Sequence, residues 1–424
     1  MTDLQKGLKI AVIGAGAAGL TAAYLLSKQH HVSLFEKNKY FGGHANTITV
    51  EDEVHGELAI DTGFIVHNDK NYPNFTKLMT ELDVETQKSD MSFSYYSEKP
   101  FQLYGTDLPF GMFALKRNLV NPKFYRFLKD IFTFNRVATE DVEKGIALKL
   151  SLKQYLDQYN FSEALISDYV VPMGAAIWSA SFDDILNFPA RTFLNFWHNH
   201  GLLQIKGRPQ WYTVTGGSKN YVKRIEESLK GNLFNNSSIK YVARTKSHVL
   251  IKMVDGYEQV FDKVVIATHA DQALTLLSDP TEAEKALLGQ WGYSTNKTYF
   301  HTDPIVMPPR LSAWTAWNYV KQGESNGTPV SLTYWMNRLQ NLPSKTPYLV
   351  TLNTDLVIKD EHIIREIDYT HPIFSPEALK TQEKLPELNG VNQTYFCGSY
   401  FKNGFHEDAV MSAVNVAHAL GVEW

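Results

Sequence analysis

Residues 9–36 read KIAVIGAGAAGLTAAYLLSKQHHVSLFE. Ile10, Val12 and Ile13 belong to a short buried strand, and Gly14, Gly16 and Gly19 follow it as G-x-G-x-x-G. A helix rich in Ala and Leu then runs to about Gln29, and a second strand, Val32 to Phe35, ends in Glu36. Each residue type meets a physical need. Gly14 makes the tight turn, Gly16 lets the backbone approach a pyrophosphate, and Gly19 lets helix and strand pack closely. The helix N-terminus offers free N–H groups and the positive end of its dipole to phosphates. Glu36 can take both ribose hydroxyls of an adenosine, and an acid there argues against a 2′-phosphate, hence against NADP. Strand, glycine turn, helix and acid in this order outweigh an incidental Gly/Ala-rich helix. The stretch reads as half of a dinucleotide site in an α/β, Rossmann-like fold.

Working outward, the 424-residue chain is long for one domain, so two lobes are expected. Hydrophobic residues make up 44% and charged residues 20%, the balance of a globular enzyme. A net charge of -4 provides no basic field for nucleic acid. The single cysteine, Cys397, excludes an intrachain disulfide and a multi-cysteine metal site, and fits a reducing compartment. No H-E-x-x-H helix or nucleophile elbow is present, so metal-dependent and hydrolytic readings fall away. Lys6 and Lys9 before the apolar run imitate a signal peptide, but the spaced glycines inside it are better explained by the dinucleotide turn. A cytoplasmic protein is expected.

Six residues past Glu36 comes GGHANT, Gly42 to Thr47. The combination E-x5-GG resembles the extended motif of the flavin-containing amine oxidoreductases, which include monoamine and polyamine oxidases, phytoene desaturases and protoporphyrinogen oxidase. Three further stretches follow in family order. AIDTGFIVHN, Ala59 to Asn68, is similar to the D-x-G-G segment beside the flavin, with Gly63 kept and Phe64 in the second glycine's place. FDKVVIATHADQAL, Phe261 to Leu274, resembles the strand returning to the cofactor domain. YFCGSYFKNGFHEDAVMSAVNVAHAL, Tyr395 to Leu420, resembles the C-terminal flavin motif. The wording GGH, DTGFIV, ATHADQAL and GFHED is closest to a bacterial branch linked with fatty-acid-modifying enzymes.

The resemblance implies non-covalently bound FAD held by Gly14, Gly16, Ala17, Gly19, Glu36, Lys37, Gly43, His44, Gly63, Phe64, Gly398, Ser399, Phe405, His406 and Glu407. Ser399 departs from the acid many relatives carry there, which puts one ribityl or pyrophosphate contact in doubt. The helix at Gly404 would place its N–H groups at the flavin N1 edge, with Glu407 near the ribityl chain or backbone donors. Val242 and Thr245 both fit an adenine contact loosely. Lys297 stands roughly where amine oxidases keep a lysine bonded through water to N5, and His301 and His269 are weaker candidates. Lys402 takes the place of an aromatic wall that receives the substrate amine. A lysine there repels an ammonium, so an apolar, acyl-type substrate is expected, oxidised by hydride transfer to flavin N5. The alternatives are a non-redox isomerase of unsaturated lipids and a non-catalytic dinucleotide-binding protein.

The FAD domain is expected from 1–72, 208–275 and 388–424, with a mixed-sheet-plus-helices substrate domain from 73–207 and 276–387 inserted. Residues 212–229 read as strand, glycine turn and helix re-entering the FAD domain, and 239–266 as a small sheet over the nucleotide. Trp314, Trp317, Tyr319, Tyr334 and Trp335 read as core, with one or two lining the substrate cavity. GESNGTP, Gly323 to Pro329, reads as a surface turn. KRNLVNPKFYRFLKDIFTFNR, Lys116 to Arg136, carries six Lys/Arg against one acid, Asp130. It either packs its aromatic face into the lobe with a solvated basic face, or lies on an anionic membrane surface.

Overall fold

Lys9–Ile13 is the middle strand of a five-stranded parallel sheet. The strand order is Leu233–Phe234, His31–Phe35, Lys9–Ile13, Lys263–Ile266, Thr394–Phe396. The computed structural model describes residues 6–107, 109–145, 149–178, 180–204, 207–321 and 331–424. The surface turn expected at Gly323 to Pro329 lies outside them.

Both faces of this sheet are covered, which is why its strands are continuous apolar runs. Ile10, Val12 and Val265 face a core shared with the helices Ala17–Leu26 and His406–Ala419. Ala11, Ile13, Val264 and Ile266 face the other way, onto Val249, Ile251 and Phe261 of a three-stranded antiparallel sheet. That second sheet is Ile239–Arg244, Val249–Met253 and Glu258–Phe261. Residues 239–266 therefore do not form one sheet. The unbroken run at Lys263–Ile266 enters the parallel sheet, whereas Val249–Met253 alternates buried and half-buried residues, as a one-sided strand must.

The strand Trp211–Val214 pairs with His67–Asn68 and Thr86–Ser89, not with the nucleotide sheet. The helix Lys219–Ser228 after it does return, burying Tyr221, Val222 and Ile225 in the first helix's core.

The other lobe is built on a seven-stranded sheet, in the order Ile363–Pro372, Tyr293–His301, Leu349–Leu352, Leu332–Trp335, Trp317–Lys321, Phe93–Ser97, Gln102–Gly105. All pairs are antiparallel except Trp317–Lys321 with Phe93–Ser97, so the sheet is mixed. Helices Pro122–Glu143, Val171–Trp178 and Ala190–Asn199 join it through an aromatic core containing Phe124, Phe127, Phe134, Phe193 and Trp197. Every strand of the parallel sheet falls within 1–72, 208–275 or 388–424. Every strand of the seven-stranded sheet falls within 73–207 or 276–387. On that ground we propose these two sets of segments as the domains.

Candidate functional site

The glycine turn is set by contacts that leave no room for a side chain. A Cβ at Gly19 would stand 1.8 Å from the Gly14 carbonyl oxygen, and one at Gly14, whose φ is +94°, 2.9 Å from the Ala267 oxygen. Gly16 is different, because nothing lies within 4 Å of its would-be Cβ, and that open side faces a cavity. The cavity has a volume of about 1050 Å³ and runs past Gly14, Gly16, Ala17, Glu36, Lys37, Gly43 and His44. It continues past Gly63 and Phe64 to Gly398, Ser399, Phe405 and His406. Two segments almost four hundred residues apart thus line one space.

Glu36 is buried at the end of its strand and accepts the Ala15 N–H at 2.8 Å and the Asn38 N–H at 2.9 Å. The end of the cavity beside Glu36 is also lined by Ser237, Ser238 and Ile239. Val242 and Thr245 do not reach it. Val242 is fully buried in the core beneath the antiparallel sheet, and Thr245 bonds His248 in an exposed turn.

His44 stacks on Tyr369 at 4.8 Å, and its Nε2 is buried without a partner among the described residues. Burial, with His371 next in importance, holds its imidazole well below the usual range, so the ring is neutral. Phe64 stacks on His406 at 3.7 Å. His406 is bonded through Nε2 to the Tyr221 hydroxyl at 2.8 Å, and burial lowers its pKa to about 3.

The acidic helix start has a division of labour the motif did not reveal. Asp408 accepts the Asn403 and Phe405 N–H groups at 3.1 and 2.9 Å, fixing its own loop. Glu407 turns away from the cavity and accepts the Asn74 and Phe75 N–H groups at 3.0 and 2.9 Å. Those are orphan donors at the start of helix Pro73–Glu81. Glu407 therefore pins a neighbouring helix, and of its two expected places, the ribityl chain or backbone donors, the structure shows the second. Replacing Glu407 by alanine is expected to destabilise the protein by about 2 kcal/mol, because two buried donors lose their acceptor. Calorimetry should show a lower Tm with the flavin absorbance retained. Loss of flavin at unchanged Tm would return Glu407 to the cofactor.

Both expected catalytic lysines point elsewhere. Lys297 is exposed on the outer side of its strand and paired with Glu366 at 3.2 Å. Its neighbour Asn296 is the fully buried residue, donating to His371 Nδ1 at 3.0 Å. Lys402 is exposed beside Met411, and the cavity is lined on either side of it by Ser399 and Tyr400 and by Asn403, Gly404 and Phe405. Of the weaker candidates, His301 is buried in the sheet against Thr351, while His269 lines the cavity stacked on Tyr293 at 4.2 Å. Cys397 is fully buried, outside the lining, and its thiol is pushed up to about 12.

The cavity's far part belongs to the second lobe. Met173, Trp178, Phe196 and Leu202 meet Trp317 and Tyr334, which pack edge to face at 4.9 Å. Among the described residues, no Asp, Glu, Lys or Arg from the lobe helices or the 317–352 strands lines it. Between the lobe helices and the 317–352 strands the one lining imidazole among the described residues is His200, which no motif marked, while His371 lines the cavity from the strand Ile363–Pro372. His200 stacks on Phe196 at 3.8 Å, and its Nδ1 lies 2.9 Å from the Phe196 carbonyl oxygen. A carbonyl only accepts, so Nδ1 carries the proton and Nε2 keeps its lone pair. Burial lowers the His200 pKa to about 4.

An open glycine at a helix N-terminus, a buried acid at the strand end, an orphaned imidazole and a second helix start together suit an extended dinucleotide. The model of the family "Flavin containing amine oxidoreductase" matches residues 17–368, and the chain belongs to that family. It is an oxidoreductase-family flavoprotein of the amine oxidase-like superfamily, with a flavin as its cofactor. Among solved structures, a CLA-producing fatty acid isomerase from P. acnes is similar at 16% identity and a TM-score of 0.71, covering 99% of this chain and 100% of its own. Putrescine oxidase bound to putrescine is similar at 13% identity and a TM-score of 0.69, covering 97% and 98%. Cyclohexylamine oxidase from Brevibacterium oxydans follows at 15% and 0.67, covering 98% of each chain. At these identities the likeness is one of fold. No curated protein matches the sequence significantly. No helix among the described residues is long and apolar enough to cross a membrane.

Proposed function

We propose that this flavoprotein oxidises a C–H bond of an apolar, acyl-type substrate. The observation that carries the reading is the part of the cavity between the lobe helices and the 317–352 strands, walled by Met, Leu and aromatic side chains without a fixed charge, whereas Asp368 lines it from the strand Ile363–Pro372. Apolar walls bury apolar surface favourably, whereas an ammonium without a counter-ion pays its desolvation cost there. The expectation reached through Lys402 thus rests on the walls instead.

Gly14, Gly16 and the N-terminus of helix Ala17–Leu26 would hold the pyrophosphate of FAD, and Glu36 the ribose. His44 and the start of helix His406–Ala419 would lie along the rest of the cofactor. When bound, FAD supplies a two-electron acceptor. The N–H groups at the start of helix His406–Ala419 favour negative charge developing beside them. The aromatic lobe excludes water and orients the chain of the substrate. As the substrate loses a hydride and a proton and gains a double bond, His200 Nε2 takes the proton.

Replacing His200 by leucine is expected to slow flavin reduction by an acyl substrate ~10²-fold or more, with FAD retained. The wild-type rate should hold on its acid side to near the lowered pKa of about 4. Peroxide release from putrescine or benzylamine at enzyme-like rates would overturn the substrate class. The isomerase among the similar structures supports a second reading, double-bond migration without net oxidation. Anaerobic mixing separates the two: lasting flavin bleaching marks oxidation, and product without bleaching marks isomerisation.

A further inference from the structure

The helix Pro122–Glu143 has two working faces. Phe124, Phe127 and Phe134 are buried in the lobe core, where Phe127 packs tilted on Tyr104 and Phe124 and Phe134 meets Trp197 edge-on. On the other side, Tyr125, Leu128, Lys129, Phe132, Thr133 and Arg136 line a shallow depression in the protein surface. Tyr125 is 48% and Phe132 56% exposed, too much for rings with a core to enter. The Tyr125 hydroxyl donates to the Leu119 carbonyl at 2.9 Å, which sets Leu119 and Val120, 51% and 82% exposed, beside this face.

The charges there are equally unspent. Among the described residues Lys116, Lys123, Arg126 and Lys129 have no ion-pair partner, while Arg136 pairs with Glu140 at 2.8 Å. The segment's one acid, Asp130, is half-buried and accepts the Ser162 N–H at 3.4 Å. A chain of net charge -4 thus gathers unpaired cations around exposed aromatic and aliphatic side chains.

We propose that this face docks the protein on an anionic lipid surface. Lys and Arg meet the headgroups, and Leu119, Val120, Tyr125 and Phe132 enter the interface. A single-stranded nucleic acid would also use cations and rings. It has no use for Leu119 and Val120, and these favour lipid. The helix is rigid under such a load because its inner face is anchored in the aromatic core that also contains the cavity residues Trp178 and Phe196.

The test is flotation of the FAD-loaded full-length protein with vesicles of phosphatidylcholine, alone or mixed with phosphatidylglycerol. At low salt the mixed vesicles are expected to carry at least ~10-fold more protein than the neutral ones, and ~0.5 M salt should release it. The double variant K123E/K129E should lose that preference, and F132S should weaken it severalfold. Both should keep the flavin spectrum and Tm, since these side chains are exposed. Equal flotation on both vesicles, or variants that float as the wild type does, overturns the proposal. So does a variant that only converts a dimer to a monomer in sedimentation, or only releases a single-stranded DNA probe.

Discussion

Gly19→Ala is expected to yield a nearly colourless protein with a markedly lower Tm. The added Cβ would sit 1.8 Å from the Gly14 carbonyl oxygen and 2.9 Å from its carbon, both of them backbone atoms that no rotamer change can move. Relief requires the first helix to lift from the first strand, opening the packing of Ala18, Ala22 and Ala23 against the sheet and the last helix. Overpacking of this kind costs about 3 kcal/mol, and the displaced turn no longer presents its N–H groups to a pyrophosphate. Gly16→Ala is the matched control. Nothing lies within 4 Å of its Cβ, so Tm without cofactor should be unchanged while FAD affinity falls, because the methyl group stands where the pyrophosphate must approach. Flavin absorbance of the purified variants, together with calorimetry of the apoproteins, reads both effects. A yellow Gly19→Ala protein with wild-type Tm would refute the close packing.

Acidification from pH 7 to pH 4 should unfold the apoprotein well before its carboxylates titrate in bulk. His67, His200, His301 and His371 have pKa values lowered to about 4 and His406 to about 3, in each case first by burial. His44 and His269 move the same way. A histidine depressed in the fold contributes stability that is complete above its unfolded value near 6.5 and is lost as pH falls toward the folded one. For the fully buried His67 and His301 the loss is about 3 kcal/mol each. Asp61 and Asp408, raised by burial to about 6, act in the opposite sense. Their contribution is present below the unfolded value near 3.8 and lost as pH rises through 6. Seven imidazoles outweigh these carboxyls, so the net slope is downward on acidification. Chemical unfolding at steps between pH 7.5 and 4.5 should show stability falling by about 3 kcal/mol or more. Stability that is flat or rising over that range would show the histidines to be charged in the fold.

The two expected lysines show where sequence reading ends. Lys297 lies in the expected lobe strand, Tyr293–His301, but side chains alternate across a strand, and a slip of one residue exchanges the inner face for the outer. Asn296 faces in, and Lys297 meets Glu366 outside. Lys402 lies between Ser399 and Phe405, where spacing from a motif glycine says nothing about direction; the structure turns it outward while Ser399, Tyr400, Asn403 and Phe405 line the cavity. Glu407 was legible as an important acid but not as the cap of Pro73–Glu81, since its partners are more than three hundred residues away. His200 carried no signal at all. It matters because a lobe helix places it in an apolar wall, and nothing local to FWHNHG encodes that.

The sequence by itself determined the strand–turn–helix unit proposed to hold the nucleotide, because Gly14, Gly16, Gly19 and Glu36 act through backbone geometry within that one unit. It also determined the family and the flavin, since the ordered motifs belong to that same local chemistry. Only the tertiary structure decided which side chains face the substrate and which face water. That choice depends on strand register, loop direction and long-range partners, and none of these leaves a local pattern in the chain.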